Sequence, residues 1–302
     1  MLLLLLYHEQ VDIFCPYKTK AQKTDFFLSV LLNFLLFCDK VFVLTLKIRL
    51  KSPENTMKPV IIAHRGWCGK YPENTLIAFE KAMELPVDGI EFDLRRTADG
   101  EIVLSHEPNV DLHSNGSGLI REMTLKQLKQ LDFGFKRGEE FAGTRIPEFN
   151  EFLDLVCAKR PEIFLAVELK EDDEDLARRV FKELEKRSFY SHCSIISGRS
   201  NMLRAAKKYA PELPRHGFGV RNLPDEANTE EYLALLNRVG IPVRALTMEQ
   251  VKFYHDRGIG VDTWAPGNAA EYAVARGCGV DYLTTNDPDV ILALQAQHTF
   301  LD

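Results

Sequence analysis

The sequence predicts an α/β protein, a (β/α)8 TIM barrel with a small insertion after the second strand. From residue 60 to the end of the chain, short apolar runs alternate with helical patterns, without a linker or a change of composition. This alternation is typical of a parallel sheet whose strands are covered on both faces. No glycine-rich dinucleotide-binding motif follows the first run, which favours a closed barrel over an open doubly wound sheet.

The first strand and the first helix are the clearest elements. Residues 60–63 (VIIA) form a continuous apolar run, as expected for a buried parallel strand. Leu76, Phe79 and Met83 then recur at the spacing of one helix face. Asn74, which precedes this pattern, is the expected N-cap of the helix.

The next segment predicts a hairpin and the insertion. Residues 89–95 (GIEFDLR) are the predicted second strand, and a turn at 98–100 leads directly into a further strand at 101–105. Residues 109–147 contain five glycines and one short helical pattern. We therefore expect them to lie above the sheet as loops and a helix.

The rest of the chain repeats the unit of strand and helix. Predicted strands lie at 163–169, 193–197, 215–220, 241–247, 259–264 and 280–285. Predicted helices lie at 148–158, 173–187, 200–209, 229–238, 248–257, 268–276 and from 288 onward. The helix at 173–187 runs from acidic to basic residues, a polarity that suits the helix dipole.

Composition and charge exclude some classes of protein. The formal net charge is −6 and the pI is near 5.8, without a basic run among aromatic residues, so no nucleic-acid partner is expected. The six cysteines are scattered and form no Cys-x-x-Cys pair, which argues against a disulfide framework or a zinc site and fits a reducing compartment. The sequence indicates no obligatory protein partner.

Residues 1–56 differ from the rest of the chain. The apolar residues 26–48 are interrupted by Asp39 and Lys40, which would cost about 2.5–3.5 kcal/mol each inside a bilayer. This extension is therefore either a poor membrane anchor or a leader that is not normally translated. We expect a barrel domain at 57–302 and a cytoplasmic location, with membrane anchoring as the alternative.

Polar side chains gather where the predicted strands end, which is the position of functional residues in barrels of this kind. They are His64 and Arg65, Glu91 and Asp93, His106, and Glu168 and Lys170. Glu91 and Asp93 are two positions apart, so both side chains point to the same face of the second strand. Two inward carboxylates are costly unless a cation or an arginine pairs with them.

The residue types at these strand ends suit metal-assisted chemistry on a phosphate. Three carboxylates without a cysteine ligand favour one hard divalent cation, Mg²⁺ or Ca²⁺, over zinc. Arg65 and Lys170 supply positive charge for a phosphate. His64 and His106 can serve as general base and general acid, with His64 as the base in our working assignment.

Taken in order, these motifs resemble those of the glycerophosphodiester phosphodiesterase family over residues 58–297. The shared motifs are AHRG at 63–66, PENT at 72–75, GIEFD at 89–93, His106, VELK at 167–170 and TNDP at 285–288. The stretch from 123 to 156 is similar to the family's insertion. The resemblance implies a barrel and metal-dependent hydrolysis of small-molecule glycerophosphodiesters, derived from phospholipids, to glycerol 3-phosphate and an alcohol.

The resemblance also assigns roles to single residues. It implies metal binding by Glu91, Asp93 and Glu168, acid–base catalysis by His64 and His106, phosphate contacts from Arg65 and Lys170, a glycerol pocket lined by Trp264, and supporting positions at Glu73 and Asn74. Glu107 is a departure, because an aspartate is commoner there in the family. Glutamate keeps the charge.

Two other functions stay open. A lysophospholipase D or a sphingomyelinase D-like enzyme would use the same barrel with a wide apolar groove, but the insertion at 109–147 shows no long apolar run to form one. A non-catalytic phosphate-binding barrel should have lost a metal-binding or acid–base residue, and none is missing. No motif specifies the headgroup or the oligomeric state.

Overall fold

The computed structural model describes residues 58–219 and 229–299. Its strands are β1 (Val60–His64), β2 (Gly89–Arg96), β3 (Ile102–Leu104), β4 (Phe164–Leu169), β5 (Cys193–Ile196), β6 (Arg215–Phe218), β7 (Arg238–Pro242), β8 (Gly260–Trp264) and β9 (Tyr282–Thr285). Eight of these strands are parallel and close into a barrel, because β1 pairs with both β2 and β9. β3 runs antiparallel along β2. The predicted TIM barrel is confirmed.

Helices cover the outer face of the barrel. They are α1 (Leu76–Met83), α2 (Leu125–Leu128), α3 (Phe149–Lys159), α4 (Glu174–Lys186), α5 (Ser200–Tyr209), α6 (Thr229–Leu233), α7 (Met248–His255), α8 (Ala269–Cys278) and α9 (Pro288–Thr299). Short 3-10 turns lie at Ile120–Glu122, Glu139–Phe141, Phe189–His192 and Val243–Ala245. Within the described ranges, none of the helices combines the length and apolar character needed to span a bilayer.

Two predictions fall on residues outside the described ranges. They are the extension at 1–56, with its apolar residues 26–48, and residue 220 of the strand predicted at 215–220.

The barrel side chains alternate between an outer and an inner layer. Outward-facing Phe92 packs against Phe152 of α3, and Phe152 in turn packs against Phe79 of α1, with ring centroids 4.4 Å apart in both pairs. Inside the barrel, Ile62 and Ile196 belong to a smaller apolar cluster. The polar side chains at the strand ends therefore adjoin an apolar part of the interior.

The insertion after β2 has a core of its own. Val103 of β3 packs there with Val110, Ile120 and Leu128, all of them buried. Reciprocal hydrogen bonds between Thr124 and the residue three positions later begin α2 as a capping box. The predicted insertion is confirmed as a small packed unit.

The junction between β1 and α1 depends on a glycine. Gly66 has φ +77°, and a Cβ there would lie 2.7 Å from the backbone carbon of Ala78. Only glycine allows this approach. It brings the loop that follows β1 onto the first turns of α1.

The expected N-cap of α1 is wrong by one residue. Thr75 occupies the cap, and its hydroxyl accepts a hydrogen bond from the N–H of Ala78. The side chain of Asn74 turns instead toward β2, where it contacts Asp93.

The predicted helix at 229–238 and the predicted strand at 241–247 are also misplaced. α6 ends at Leu233, and β7 spans Arg238–Pro242 before the 3-10 turn at Val243–Ala245. Pro242 has no N–H to donate to a strand ladder, so it ends β7. The apolar residues beyond it belong to the turn.

Candidate active site

Three carboxylates meet at the carboxyl ends of β2 and β4. Glu91 and Asp93 project from the same face of β2, and Asp93 lies opposite Glu168 in the register of the two strands. One ligand atom from each carboxylate lies within 4.8 Å of the others. Glu91 Oε1 and Asp93 Oδ1 are buried without a hydrogen-bond partner among the described residues. Unpartnered, buried carboxylate oxygens at this spacing fit a divalent cation.

The three carboxylates differ in their affinity for protons. Burial, together with the charges of Asp93 and Glu168, raises the pKa of Glu91 well above its usual value. Burial also raises the pKa of Glu168, although Lys170 opposes this rise. The burial of Asp93 is outweighed by Lys170 and Arg65, and its pKa falls to about 2. A bound cation would relieve the repulsion within this cluster.

Two cationic side chains lie against the carboxylates. Lys170 Nζ is 2.8 Å from Glu168 Oε1 and 3.5 Å from Asp93 Oδ1. Arg65 Nε is 3.3 Å from Asp93 Oδ2, and Arg65 Nη1 donates to Glu73 Oε1 at 3.0 Å. These contacts involve three carboxylates, and Glu91 is the fourth acidic group of the site. Four acidic groups therefore face two cationic side chains. When ionised, the cluster therefore keeps an excess of two negative charges, which one divalent ion would balance.

Arg65 and Asn74 hold the β2 carboxylates from strained backbone positions. Arg65 has φ 53°, and its backbone N–H donates to Glu91 Oε2 at 3.0 Å. Asn74 has φ 55°; its amide nitrogen donates to Asp93 Oδ2 at 2.8 Å, and its amide oxygen accepts from the Asp93 N–H at 3.2 Å. Left-handed backbone costs non-glycine residues on the order of 1–3 kcal/mol and concentrates at functional sites.

His64 ends β1 beside the carboxylates. Its Nδ1 lies 2.6 Å from Asn286 Oδ1, and its Nε2 lies 3.8 Å from Glu91 Oε2. Burial, followed by the charge of Arg65, lowers the pKa of His64 to about 4. The ring is therefore neutral at pH 7, and it can accept a proton at Nε2.

His106 follows β3 and lines the same cavity as His64. Its Nδ1 is 2.9 Å from Glu107 Oε1, and its backbone carbonyl accepts hydrogen bonds from the guanidinium of Arg95. Burial lowers the pKa of His106, and the contact with Glu107 opposes that effect. The ring is therefore a weaker base than a free imidazole, and once protonated it gives up its proton more readily, from Nε2.

A cavity of about 230 Å³ opens between these groups and the opposite wall of the barrel. It is lined by the predicted residues His64, Arg65, Glu91, His106, Glu168, Lys170 and Trp264. Trp264 ends β8 with 36% of its surface exposed, and its ring stands edge-on to that of Phe218. A larger cavity of about 730 Å³ lies at the amino ends of β4, β5 and β7, away from the carboxylates.

Sequence reasoning missed several residues of this site. Asn286 belongs to the TNDP motif without an assigned role, and its side chain contacts His64. His113 belongs to none of the motifs, and its Nε2 lies 3.4 Å from Glu73 Oε1. His216 and Asp262 line the cavity from β6 and β8. The two-residue period of their strands could have shown that both point inward, but it could not show what they face.

The fold and the site together define a class of protein, a TIM barrel with a cluster of acidic side chains at the carboxyl ends of its strands. Comparison with known proteins identifies the family. A sequence model of the glycerophosphoryl diester phosphodiesterase family matches residues 64–290. The chain belongs to this family.

Individual relatives agree with this family. The chain is 31% identical over 245 residues to a glycerophosphodiester phosphodiesterase of Caldanaerobacter subterraneus subsp. tengcongensis, which covers 79% of this chain and 98% of the relative. The solved glycerophosphodiester phosphodiesterase of Agrobacterium tumefaciens is similar in fold, with a TM-score of 0.66 and 22% identity over 78% of this chain and all of the other.

A further solved structure contains a product. It is a phosphodiesterase of Oleispira antarctica in complex with sn-glycerol 3-phosphate, with a TM-score of 0.68 and 25% identity. The match covers 78% of this chain and 96% of the Oleispira protein.

Proposed function

We propose that the chain hydrolyses glycerophosphodiesters to glycerol 3-phosphate and an alcohol, using one divalent cation and two histidines. The observation that carries the proposal is the convergence of three carboxylates, two cations and two histidines on one cavity. The family of the chain and the sn-glycerol 3-phosphate held by the Oleispira antarctica protein support this substrate class. Such diesters arise when the acyl chains of phospholipids are removed.

We assign Glu91, Asp93 and Glu168 as the residues that would hold the cation. All three offer hard oxygen ligands, which suit Mg²⁺ or Ca²⁺. When bound, the cation would stabilise the negative charge that builds on the phosphoryl oxygens. Arg65 and Lys170 place further positive charge beside the same point, where a phosphate would bind.

The two histidines suit opposite roles. His64, neutral at pH 7, would take the proton of the glycerol hydroxyl next to the phosphate, and that oxygen would form the new bond to phosphorus. His106 would donate a proton to the leaving alcohol as its P–O bond breaks. Water would then open the resulting cyclic phosphate, with His106 removing a proton from water and His64 returning one to the glycerol oxygen.

The direct test is the release of glycerol 3-phosphate from glycerophosphocholine, with and without EDTA. Because no motif specifies the headgroup, the ethanolamine, inositol and glycerol diesters should be assayed alongside. We expect release that EDTA abolishes and that Mg²⁺ or Ca²⁺ restores. Cation-independent release, or none from any of the four diesters, would contradict the proposal. Binding of glycerol 3-phosphate without turnover would instead indicate a non-catalytic barrel.

A lipid-directed phosphodiesterase is the second candidate, and one observation favours it. Leu112 and Phe135 of the insertion are 57% and 61% exposed, and the Lys136 side chain reaches the backbone carbonyl of Asp111, so the two apolar residues lie on neighbouring segments. Against it, the cavity is smaller than the roughly 300–1,000 Å³ typical of drug-sized ligands. The rate ratio of lysophosphatidylcholine to glycerophosphocholine distinguishes the two candidates, and we expect it to be far below one.

A further inference from the structure

The wall of the cavity opposite the carboxylates carries a second polar group of side chains. His216 of β6 and Asp262 of β8 both point into the barrel, and each is at most 4% exposed. Asp262 Oδ2 accepts a hydrogen bond from the hydroxyl of Thr284 at 2.8 Å. His216 Nε2 lies 4.0 Å from Asp262 Oδ2, which is too far for a hydrogen bond. These two residues therefore do not satisfy each other.

Both residues keep an unpartnered polar atom. His216 Nε2 and Asp262 Oδ1 are buried, and neither has a hydrogen-bond partner among the described residues. Leaving buried polar atoms unpaired is unfavourable, because they lose their hydrogen bonds to water and gain none in return. Since both residues line the same cavity, a ligand in the cavity can provide the missing partners.

The electrostatic state of the pair suits a neutral ligand. Burial, followed by the charge of Arg238, lowers the pKa of His216 to about 3, so the ring is uncharged at pH 7. Burial raises the pKa of Asp262 to about 7. A neutral imidazole beside a partly protonated carboxyl can both donate and accept hydrogen bonds, as a hydroxyl requires.

A glycine in β7 lets two side chains of the cavity wall approach the strand closely. A Cβ at Gly240 would lie 3.0 Å from His216 Nε2 and 3.4 Å from Trp264 Nε1, so a larger residue there would displace one of the two rings. At the amino end of the same strand, the guanidinium of Arg238 lies 4.0 Å from the ring centre of Tyr282 and 4.7 Å from that of Phe164. These three side chains pack together at the end of the barrel that is remote from the carboxylates.

We propose that His216 and Asp262 bind the terminal hydroxyl of the substrate's glycerol unit and thereby select diesters whose glycerol is free at that carbon. This inference rests on the proposed function, because that function places the phosphate of the substrate beside the carboxylate cluster, across the cavity from His216 and Asp262. The glycerol phosphate unit is common to all the substrates, whereas the alcohol varies. Buried polar atoms at fixed positions suit the constant unit, so we place the variable alcohol away from this pair.

The test uses a substrate in which propane-1,2-diol replaces glycerol. This analogue of glycerophosphocholine keeps the hydroxyl next to the phosphate and loses only the terminal one. A site built to bind a hydroxyl rejects the analogue that lacks it by as much as 10⁴–10⁵-fold, so we expect wild-type kcat/KM to fall by roughly 10²-fold or more. In His216→Leu and Asp262→Asn, kcat/KM for glycerophosphocholine should fall while that for the analogue changes little.

Ile196→Val is the matched control, because Ile196 lines the same cavity without a polar group. This variant should keep the wild-type preference. Equal turnover of both diesters by the wild type would overturn the subsite while leaving the proposed function intact. Equal losses on both substrates in the His216 and Asp262 variants would also overturn it and would indicate a purely structural role.

Binding provides a readout that does not depend on turnover. Calorimetric titration of the wild type with sn-glycerol 3-phosphate and with propane-1,2-diol 1-phosphate, in the presence of Mg²⁺, should show tighter binding of the former. If neither diester is hydrolysed but this preference is present, the proposed function fails and the hydroxyl subsite stands. If the two phosphates bind equally, the subsite is wrong whatever the activity.

Discussion

Asn286 fixes the orientation and the tautomer of His64, because its amide oxygen lies 2.6 Å from His64 Nδ1. An amide oxygen only accepts hydrogen bonds, so Nδ1 carries the proton of the neutral ring. The lone pair is then on Nε2, on the side of Glu91. One contact between the ends of β1 and β9 thus prepares the ring for its role as a base.

Replacing Asn286 should impair the proposed base. In Asn286→Ala the ring of His64 loses its partner and can rotate or change tautomer, so kcat should fall by roughly 10–100-fold, part of the 10²–10⁴-fold that acid–base catalysis contributes. Steady-state kinetics with glycerophosphocholine measure this loss. An unchanged kcat in a folded variant would show that His64 does not depend on Asn286.

The Asn286→Asp variant tests the same contact through pH. A base works when deprotonated, so at saturating Mg²⁺ or Ca²⁺ protonation of His64 should lower wild-type kcat/KM as the pH falls through about 4, its pKa. A carboxylate beside Nδ1 stabilises the protonated ring and raises that pKa. The acidic limb of the profile should therefore move to higher pH, and a limb that stays in place argues against His64 as the base.

Substrates whose leaving groups differ in basicity can distinguish the catalytic roles of His64 and His106. His106→Ala should lower kcat on glycerophosphocholine by about 10²–10⁴-fold. It should lower kcat far less on a p-nitrophenyl diester, because p-nitrophenolate departs without a proton. His64→Ala should impair both substrates alike, since each needs the attacking hydroxyl to be deprotonated. The reverse pattern would exchange the two roles.

The carboxylate cluster should reduce the stability of the metal-free protein. The pKa of Glu91 is raised by burial and by its neighbours. An acid whose folded-state pKa is raised destabilises the fold at any pH above its unfolded value, and the penalty disappears as the pH falls below that value. In EDTA at pH 7, Glu91→Gln should therefore melt at a higher temperature than the wild type.

Adding the cation should reverse that order. A ligand present at 100 times its dissociation constant stabilises a fold by about 2.7 kcal/mol. Mg²⁺ or Ca²⁺ should raise the melting temperature of the wild type by several degrees and that of Glu91→Gln by much less. Differential scanning calorimetry measures both values. Equal shifts in the two proteins would place the cation elsewhere.

Much of the fold and part of the site could be predicted from local patterns. Apolar runs and helical periods gave the barrel, and the i, i+2 spacing of Glu91 and Asp93 gave two of the three clustered carboxylates. Strand ends in a parallel barrel share one face, so the residues at those ends could be grouped without knowing any contact.

Contacts across the barrel could not be predicted in this way. Asn286 meets His64 over 222 positions of sequence, and only the closure of the sheet between β9 and β1 brings them together. The approach of Asp262 to His216 across β7 likewise depends on the stagger of the barrel strands. Such relationships are properties of the closed barrel and leave no signal in any single segment.

The backbone of Asn74 provides a separate measure of strain in the site. Asn74→Ala removes both hydrogen bonds to Asp93 and places an alanine at φ 55°. Asn74→Gly removes the same bonds but tolerates that φ, since left-handed backbone costs L-residues about 1–2 kcal/mol and glycine almost nothing. Both variants should be less stable than the wild type in urea, with alanine worse than glycine by about 1 kcal/mol. Equal midpoints for the two variants would mean that the turn relaxes once the contact with Asp93 is lost.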